Sequence, residues 1–92
     1  MVLFCEYVIP EGNRGSFTAW VTANPDLWRG VELAENTAQP GVIVEIRRAA
    51  NEEEAANMEK ERREGRSWKE MTQWVKGGGD GLRIWTFRPF GG

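Results

Sequence analysis

Residues 42–48 carry the pattern that most constrains the fold of this chain. The segment reads Val-Ile-Val-Glu-Ile-Arg-Arg and follows Gln39-Pro40-Gly41, a strong turn signal. Because side chains alternate between the two faces of a strand, it predicts a β-strand with two unlike faces. One face carries Val42, Val44 and Ile46, and the other carries Ile43, Glu45 and Arg47. Segment 27–36 also alternates, so the two segments are expected to form an antiparallel hairpin.

The remaining segments place this hairpin in a longer order of elements. Residues 2–9 predict a central strand with two largely apolar faces, and the spacing of Phe17, Trp20 and Val21 predicts a helix over 14–23. A helix capped by Asn51 and Glu54 follows, then a second that begins at a Ser67-x-x-Glu70 capping box, and a final strand over 82–88. The order β-α-β-β-α-α-β predicts one α+β domain over residues 1–92, with the four-stranded antiparallel sheet of the ferredoxin-like arrangement.

Composition excludes several classes of function. The 92 residues include five Trp, no His and one Cys, with a formal net charge of −2. Without a basic excess, nucleic acid is not an expected partner. Without His, the common zinc sites, Ser-His-Asp catalysis and histidine-ligated haem are not expected, so we predict no metal and no cofactor. One Cys and no 20-residue apolar run predict a cytoplasmic protein that does not enter a membrane.

The chain resembles the dimeric α+β barrel superfamily over nearly its whole length. The resemblance lies in the order of elements, in the Gln39-Pro40-Gly41 turn and in the closing Ile84-Trp-Thr-Phe-Arg-Pro89. That superfamily includes the antibiotic-biosynthesis monooxygenase family and many small uncharacterised bacterial proteins. The resemblance implies that helices cover one sheet face, that a second subunit covers the other, and that ligands bind between sheet and helices. Some members oxidise aromatic polyketides without metal or flavin, others isomerise lactones, and others degrade haem on a histidine that this chain lacks.

Strand alternation independently requires a cover on both sides of the sheet. The more apolar faces are assigned to the helix side: Leu3, Cys5, Tyr7 and Ile9; Val31 and Leu33; Val42, Val44 and Ile46; Leu82 and Ile84. The opposite face then carries Phe4, Glu6, Trp28, Glu32, Ile43, Glu45, Arg47, Arg83, Trp85 and Phe87. A face that contains four large aromatic rings is expected to be an interface, and a second copy of the sheet is the simplest partner.

The candidate site residues have structural as well as functional interpretations. Those for a ligand cavity between sheet and helices are Tyr7, Trp20, Asn57, Trp68 and Trp74. Core packing is the alternative for Trp68, which lies on a helical stripe with Met71 and Val75. The carboxylates Glu6, Glu32 and Glu45 could serve as acids or bases, but pairing with Arg47 and Arg83 is the expected arrangement if they are buried. No catalytic residue is assigned.

Two functions therefore remain open. The first is a non-catalytic homodimer that holds a small hydrophobic or aromatic ligand between sheet and helices, or that only assembles. The second, implied by the resemblance, is a cofactor-independent monooxygenase or isomerase acting on a small aromatic substrate. The charged segment from Glu52 to Glu64 is expected to form a solvated surface helix.

Overall fold

A computed structural model describes residues 1–91 and shows an α+β fold. Its strands are β1 (Val2–Val8), β2 (Glu32–Glu35), β3 (Val42–Arg48) and β4 (Arg83–Phe87). Its α-helices are α1 (Arg14–Ala23), α2 (Glu52–Glu64) and the single turn α3 (Lys69–Thr72). Short 3₁₀ turns occupy Glu11–Asn13, Pro25–Trp28, Arg66–Trp68 and Gly78–Gly81. The predicted class is confirmed, and the order of elements is compatible with a ferredoxin-like fold.

The sheet has the order β2-β3-β1-β4, and each neighbouring pair is antiparallel. The hairpin between β2 and β3 closes at Gly41, whose φ of +98° favours glycine. The Gly41 carbonyl accepts a hydrogen bond from the Ile9 amide at 2.7 Å. A Cβ at Gly41 would lie 2.8 Å from the Ile9 carbonyl oxygen, so no side chain fits at this close approach of the two segments.

The hydrophobic core lies between one sheet face and the helices. It contains Cys5 and Tyr7 of β1, Ile9 just after that strand, Ile43 of β3, Phe17 and Trp20 of α1, and Trp68, Met71, Val75 and Leu82. Leu33 also points to this side but is exposed, because it lies on the edge strand β2.

Two local predictions differ from the structure. Segment 27–36 is not one strand, because Pro25 opens a 3₁₀ turn through Trp28 and the strand itself begins only at Glu32. The Ser67 capping box is absent from residues 66–72, where a 3₁₀ turn covers Arg66–Trp68 and Trp68 precedes the first residue of α3. The cap of α2 is confirmed, since the Asn51 side chain accepts from the Glu54 amide at 2.8 Å.

The face assignment of β3 is wrong. Cys5 of β1 lies opposite Glu45, and Leu3 lies opposite Arg47, so Glu45 and Arg47 share the helix-covered face with the buried side of β1. Val44 lies opposite Glu6 on the other face and is half-buried. Hydrophobicity alone favours the reverse arrangement, but pairing with β1 determines which side of β3 faces the helices.

Candidate functional site

A carboxylate and two guanidinium groups are buried together under the helices. Glu45 of β3 is 0% exposed, Arg62 of α2 is 1% exposed, and Arg47 of β3 is 8% exposed. Glu45 accepts two hydrogen bonds from Arg62, at 2.9 Å from Nε and 2.8 Å from Nη2. It accepts a third from Arg47 Nη1 at 2.6 Å and a fourth from Tyr7 Oη at 2.5 Å. We call Tyr7, Glu45, Arg47 and Arg62 the ion cluster.

The ionisation states of the cluster follow from burial and contact. Burial alone would raise the pKa of Glu45, but the hydrogen bonds and charge of Arg62, with those of Arg47 and Tyr7, hold that pKa below its ordinary value. Burial and the Glu45 charge raise the pKa of the Tyr7 phenol. Burial, then Glu45, also raise the pKa of the Cys5 thiol to about 12. The carboxylate is therefore charged at neutral pH, whereas the phenol and the thiol are neutral.

Four tryptophans pack beside this cluster. The Trp68 ring centroid lies 5.3 Å from that of Trp28 and 6.0 Å from that of Trp20, and Trp74 lies 6.4 Å from Trp20. The guanidinium carbon of Arg62 lies 4.4 Å from the Trp68 ring centroid, and that of Arg47 lies 5.1 Å from it. Trp68 thus joins the aromatic core to the two cations, an arrangement favoured by cation–π attraction.

A surface cleft reaches the same groups. It has a volume of about 260 Å³ and is lined by Leu27, Arg29, Gly30, Val31, Arg47, Arg48, Met58, Arg62 and Trp68. We call it the arginine cleft. Four of its side chains carry a positive charge, while Leu27, Val31, Met58 and Trp68 provide apolar walls. The arrangement can hold a small molecule between the sheet and α2.

The predicted cavity residues are only partly brought together. Trp68 lines the arginine cleft. Tyr7 and Trp20 belong to the buried core, and Trp74 packs against its edge. Asn57 is exposed on α2 and belongs to neither group.

The open face, the side of the sheet opposite the helices, carries most of the predicted dimer-face residues. The strand pairing places Phe4, Glu6, Glu32, Arg83, Trp85 and Phe87 there. Four others are corrected: Glu45 and Arg47 lie in the ion cluster, Ile43 lies in the hydrophobic core, and Trp28 packs under the helices against Trp20 and Trp68. Trp28 lies on the helix side of the sheet and not on the open face, because it belongs to a 3₁₀ turn, where strand alternation does not apply.

Sequence reasoning missed Arg62. The charged segment from Glu52 to Glu64 predicts a solvated helix, yet this arginine is almost fully buried. A signal was present, since Ala55, Met58 and Arg62 recur at i, i+3 and i+7, the spacing of one helix face. An arginine on the apolar stripe of an otherwise polar helix indicates a buried acidic partner, here Glu45.

Within residues 1–91, no three His, Cys, Asp or Glu side chains are grouped so that they could hold a metal ion. Over the same residues, the helices are too short or too polar for any of them to cross a membrane. Comparison with protein family models, with curated proteins and with solved structures finds no match to this chain.

Proposed function

We propose that this protein is a homodimeric small-ligand-binding protein of the dimeric α+β barrel type. In the proposed dimer, two copies of the sheet face each other, and each copy binds a small hydrophobic or aromatic ligand between its sheet and helices. The observation that carries the proposal is the open face, where Trp85 is 43% exposed and Phe87 52% exposed beside Phe4.

The composition of the open face supports a second copy as its cover. Strands of four to seven residues give each sheet face roughly 350 Å², a size at which exposed apolar surface indicates interaction. The face also carries Glu6 and Glu32 together with Arg48 and Arg83. Equal numbers of opposite charges allow a two-fold related copy to pair unlike charges, as a self-complementary interface requires.

Ligand binding without covalent chemistry is the function that the geometry supports best. A general acid or base must reach its substrate and exchange a proton near the working pH. Glu45 already accepts four hydrogen bonds, and the raised pKa values of Tyr7 and Cys5 keep both groups protonated. The monooxygenase alternative would therefore need a substrate that loses its proton to a group other than Glu45, Tyr7 and Cys5. The free thiol of Cys5 fits the proposed cytoplasmic location.

The dimer is tested by its mass in solution. Sedimentation equilibrium at micromolar concentration should give twice the 10.5 kDa chain mass, and Trp85→Glu should give monomers. Leu33→Glu is the matched control, because Leu33 is 36% exposed but points to the helix side of the sheet. A monomeric wild-type protein, or equal loss of dimer in both variants, would overturn the proposed interface.

A further inference from the structure

We infer that the arginine cleft binds a small aromatic carboxylate, its charged end held by Arg47 and Arg62 and its ring against the apolar wall. The inference rests on the proposed function only in using the cleft as a ligand site, and it does not depend on the dimer. It names the chemical class of the ligand, which the proposed function leaves as small and hydrophobic or aromatic.

The first observation is an excess of buried positive charge. The side chains of Arg47 and Arg62 are 10% and 1% exposed, and both pair with the same carboxylate, Glu45. The sulfur of Met71 and the rings of Trp68 and Tyr7 are the neutral groups around Arg62. One negative charge faces two positive charges, and buried charges are normally balanced. An additional anion would complete the balance.

The second observation concerns hydrogen-bond donors. Three buried side-chain nitrogens within residues 1–91 have no protein acceptor, namely Trp28 Nε1, Arg47 Nη2 and Arg62 Nη1. All three belong to side chains packed around Trp68. Buried donors without acceptors are rare in folded proteins, and each is a group that requires an explanation. Because all are donors, the matching ligand is one that presents acceptors, such as a carboxylate.

The third observation is the shape and lining of the cleft. Its volume of about 260 Å³ lies just below the range of roughly 300–1,000 Å³ typical of drug-sized ligands. Arg47 and Arg62 line it together with Leu27, Met58 and Trp68, while Arg29 lies exposed at the rim, where it pairs with Asp26 at 2.8 Å. A single ring that bears one carboxylate fits this combination better than a bare inorganic anion, which would leave the apolar wall uncovered.

The test compares charged and neutral ligands of the same shape. Calorimetric titration would use benzoate, phenylacetate and phenylpropionate, each beside its uncharged amide, with inorganic phosphate as a further probe. At least one acid should bind saturably and at least tenfold more tightly than its amide. Equal binding of acid and amide would overturn the carboxylate inference and leave the ligand cleft intact. Binding of phosphate alone would overturn it in favour of an inorganic anion.

Failure of every probe to bind would overturn both the inference and the ligand half of the proposed function, and the sedimentation result would still decide the dimer. Arg47→Met should weaken binding of the acid at least tenfold, while Arg63→Gln, the exposed neighbour of Arg62, should leave it unchanged. Amide NMR spectra check that each variant is folded. Arg29→Gln, at an exposed position, should weaken binding two- to fivefold, and it keeps the test decisive if Arg47→Met does not fold.

Discussion

The two faces of the sheet distribute charge and apolar surface in opposite ways. The helix-covered face buries Glu45 and Arg47, whereas the open face exposes Trp85 and Phe87. Buried polar groups and exposed apolar patches are the two departures from normal burial that carry information. Here both occur in one sheet, and strand β3 contributes to each. The face of β3 that lies under the helices is therefore determined by the partners of its charged residues and not by hydrophobicity.

Four hydrogen bonds to the Glu45 carboxylate stabilise the helix-covered face. The desolvation of a buried ion pair is offset only where geometry is good and the remaining polar atoms find partners. Glu45 meets this condition with four donors from three elements of the chain, since Tyr7 lies on β1, Arg47 on β3 and Arg62 on α2. Within residues 1–91 of one chain, the open face has no comparable set of hydrogen bonds, so the two faces should respond differently to substitution.

The largest effect is expected from Glu45→Gln. The substitution removes the one negative charge that pairs with the two buried guanidinium groups, and breaking a buried pair from one side costs about 3–5 kcal/mol. Urea denaturation at pH 7 measures the loss in free energy of unfolding. Glu6→Gln, on the open face, is the control and should change it by less than about 0.5 kcal/mol. Similar losses for both variants would contradict the distinction between the faces.

Acid should reduce the difference between wild type and Glu45→Gln. The pKa of Glu45 is lower in the folded protein than its ordinary value of 4.5, so its contribution to stability is present above pH 4.5. It is lost as the pH falls below 4.5 and through the folded-state pKa, and the glutamine variant lacks it at every pH. Urea denaturation of both proteins at pH 7, 5 and 3 should show the gap narrowing only below about pH 4.5. A gap that is constant down to pH 3 would contradict the assignment.

Substitution of two isoleucines in β3 compares how much each sheet face contributes to stability. Ile43 is buried under the helices, so Ile43→Ala should cost about 2–5 kcal/mol of unfolding free energy. Ile46 is half-buried on the open face, so Ile46→Ala should cost less unfolding free energy than Ile43→Ala. In the proposed dimer, that loss should increase with protein concentration, because association stabilises the folded state. Denaturation at two protein concentrations separates these outcomes. A loss for Ile46→Ala that equals that of Ile43→Ala at every concentration would mean that both faces are buried within a single chain.

A smaller effect is expected from Tyr7→Phe. The change removes one donor to a charged carboxylate but keeps the ring, which packs edge-on to Phe17 at 6.1 Å. Hydrogen bonds to charged groups contribute about 1.5–3 kcal/mol, which sets the expected loss on denaturation. Phe17→Leu tests the ring contact separately. A loss below about 0.5 kcal/mol for Tyr7→Phe would mean that the Arg62 and Arg47 bonds satisfy Glu45 without it.

Much of the fold follows from local signals, whereas the site does not. Helix α1 and strand β3 have the predicted limits because Asn24-Pro25 ends the one and Gln39-Pro40-Gly41 precedes the other. Strand alternation also correctly places Glu45 and Val44 on opposite faces of β3. It cannot say which of them faces the helices, because both faces of a strand fit the same period. That choice depends on Arg62, which lies 17 residues away and is brought to Glu45 only by the packing of α2.

Gly41 has a consequence for folding as well as for the turn. Sliding β3 by one residue along β1 would turn Val42, Val44 and Ile46 inward and bring Glu45 to the surface. By composition alone, that competing pairing has the more hydrophobic interior. The close contact between Gly41 and Ile9 tolerates no side chain, so it opposes a shift that would bring any other residue to the position of Gly41. A single glycine thus helps the chain select the charged interior over a misfolded state with an apolar one.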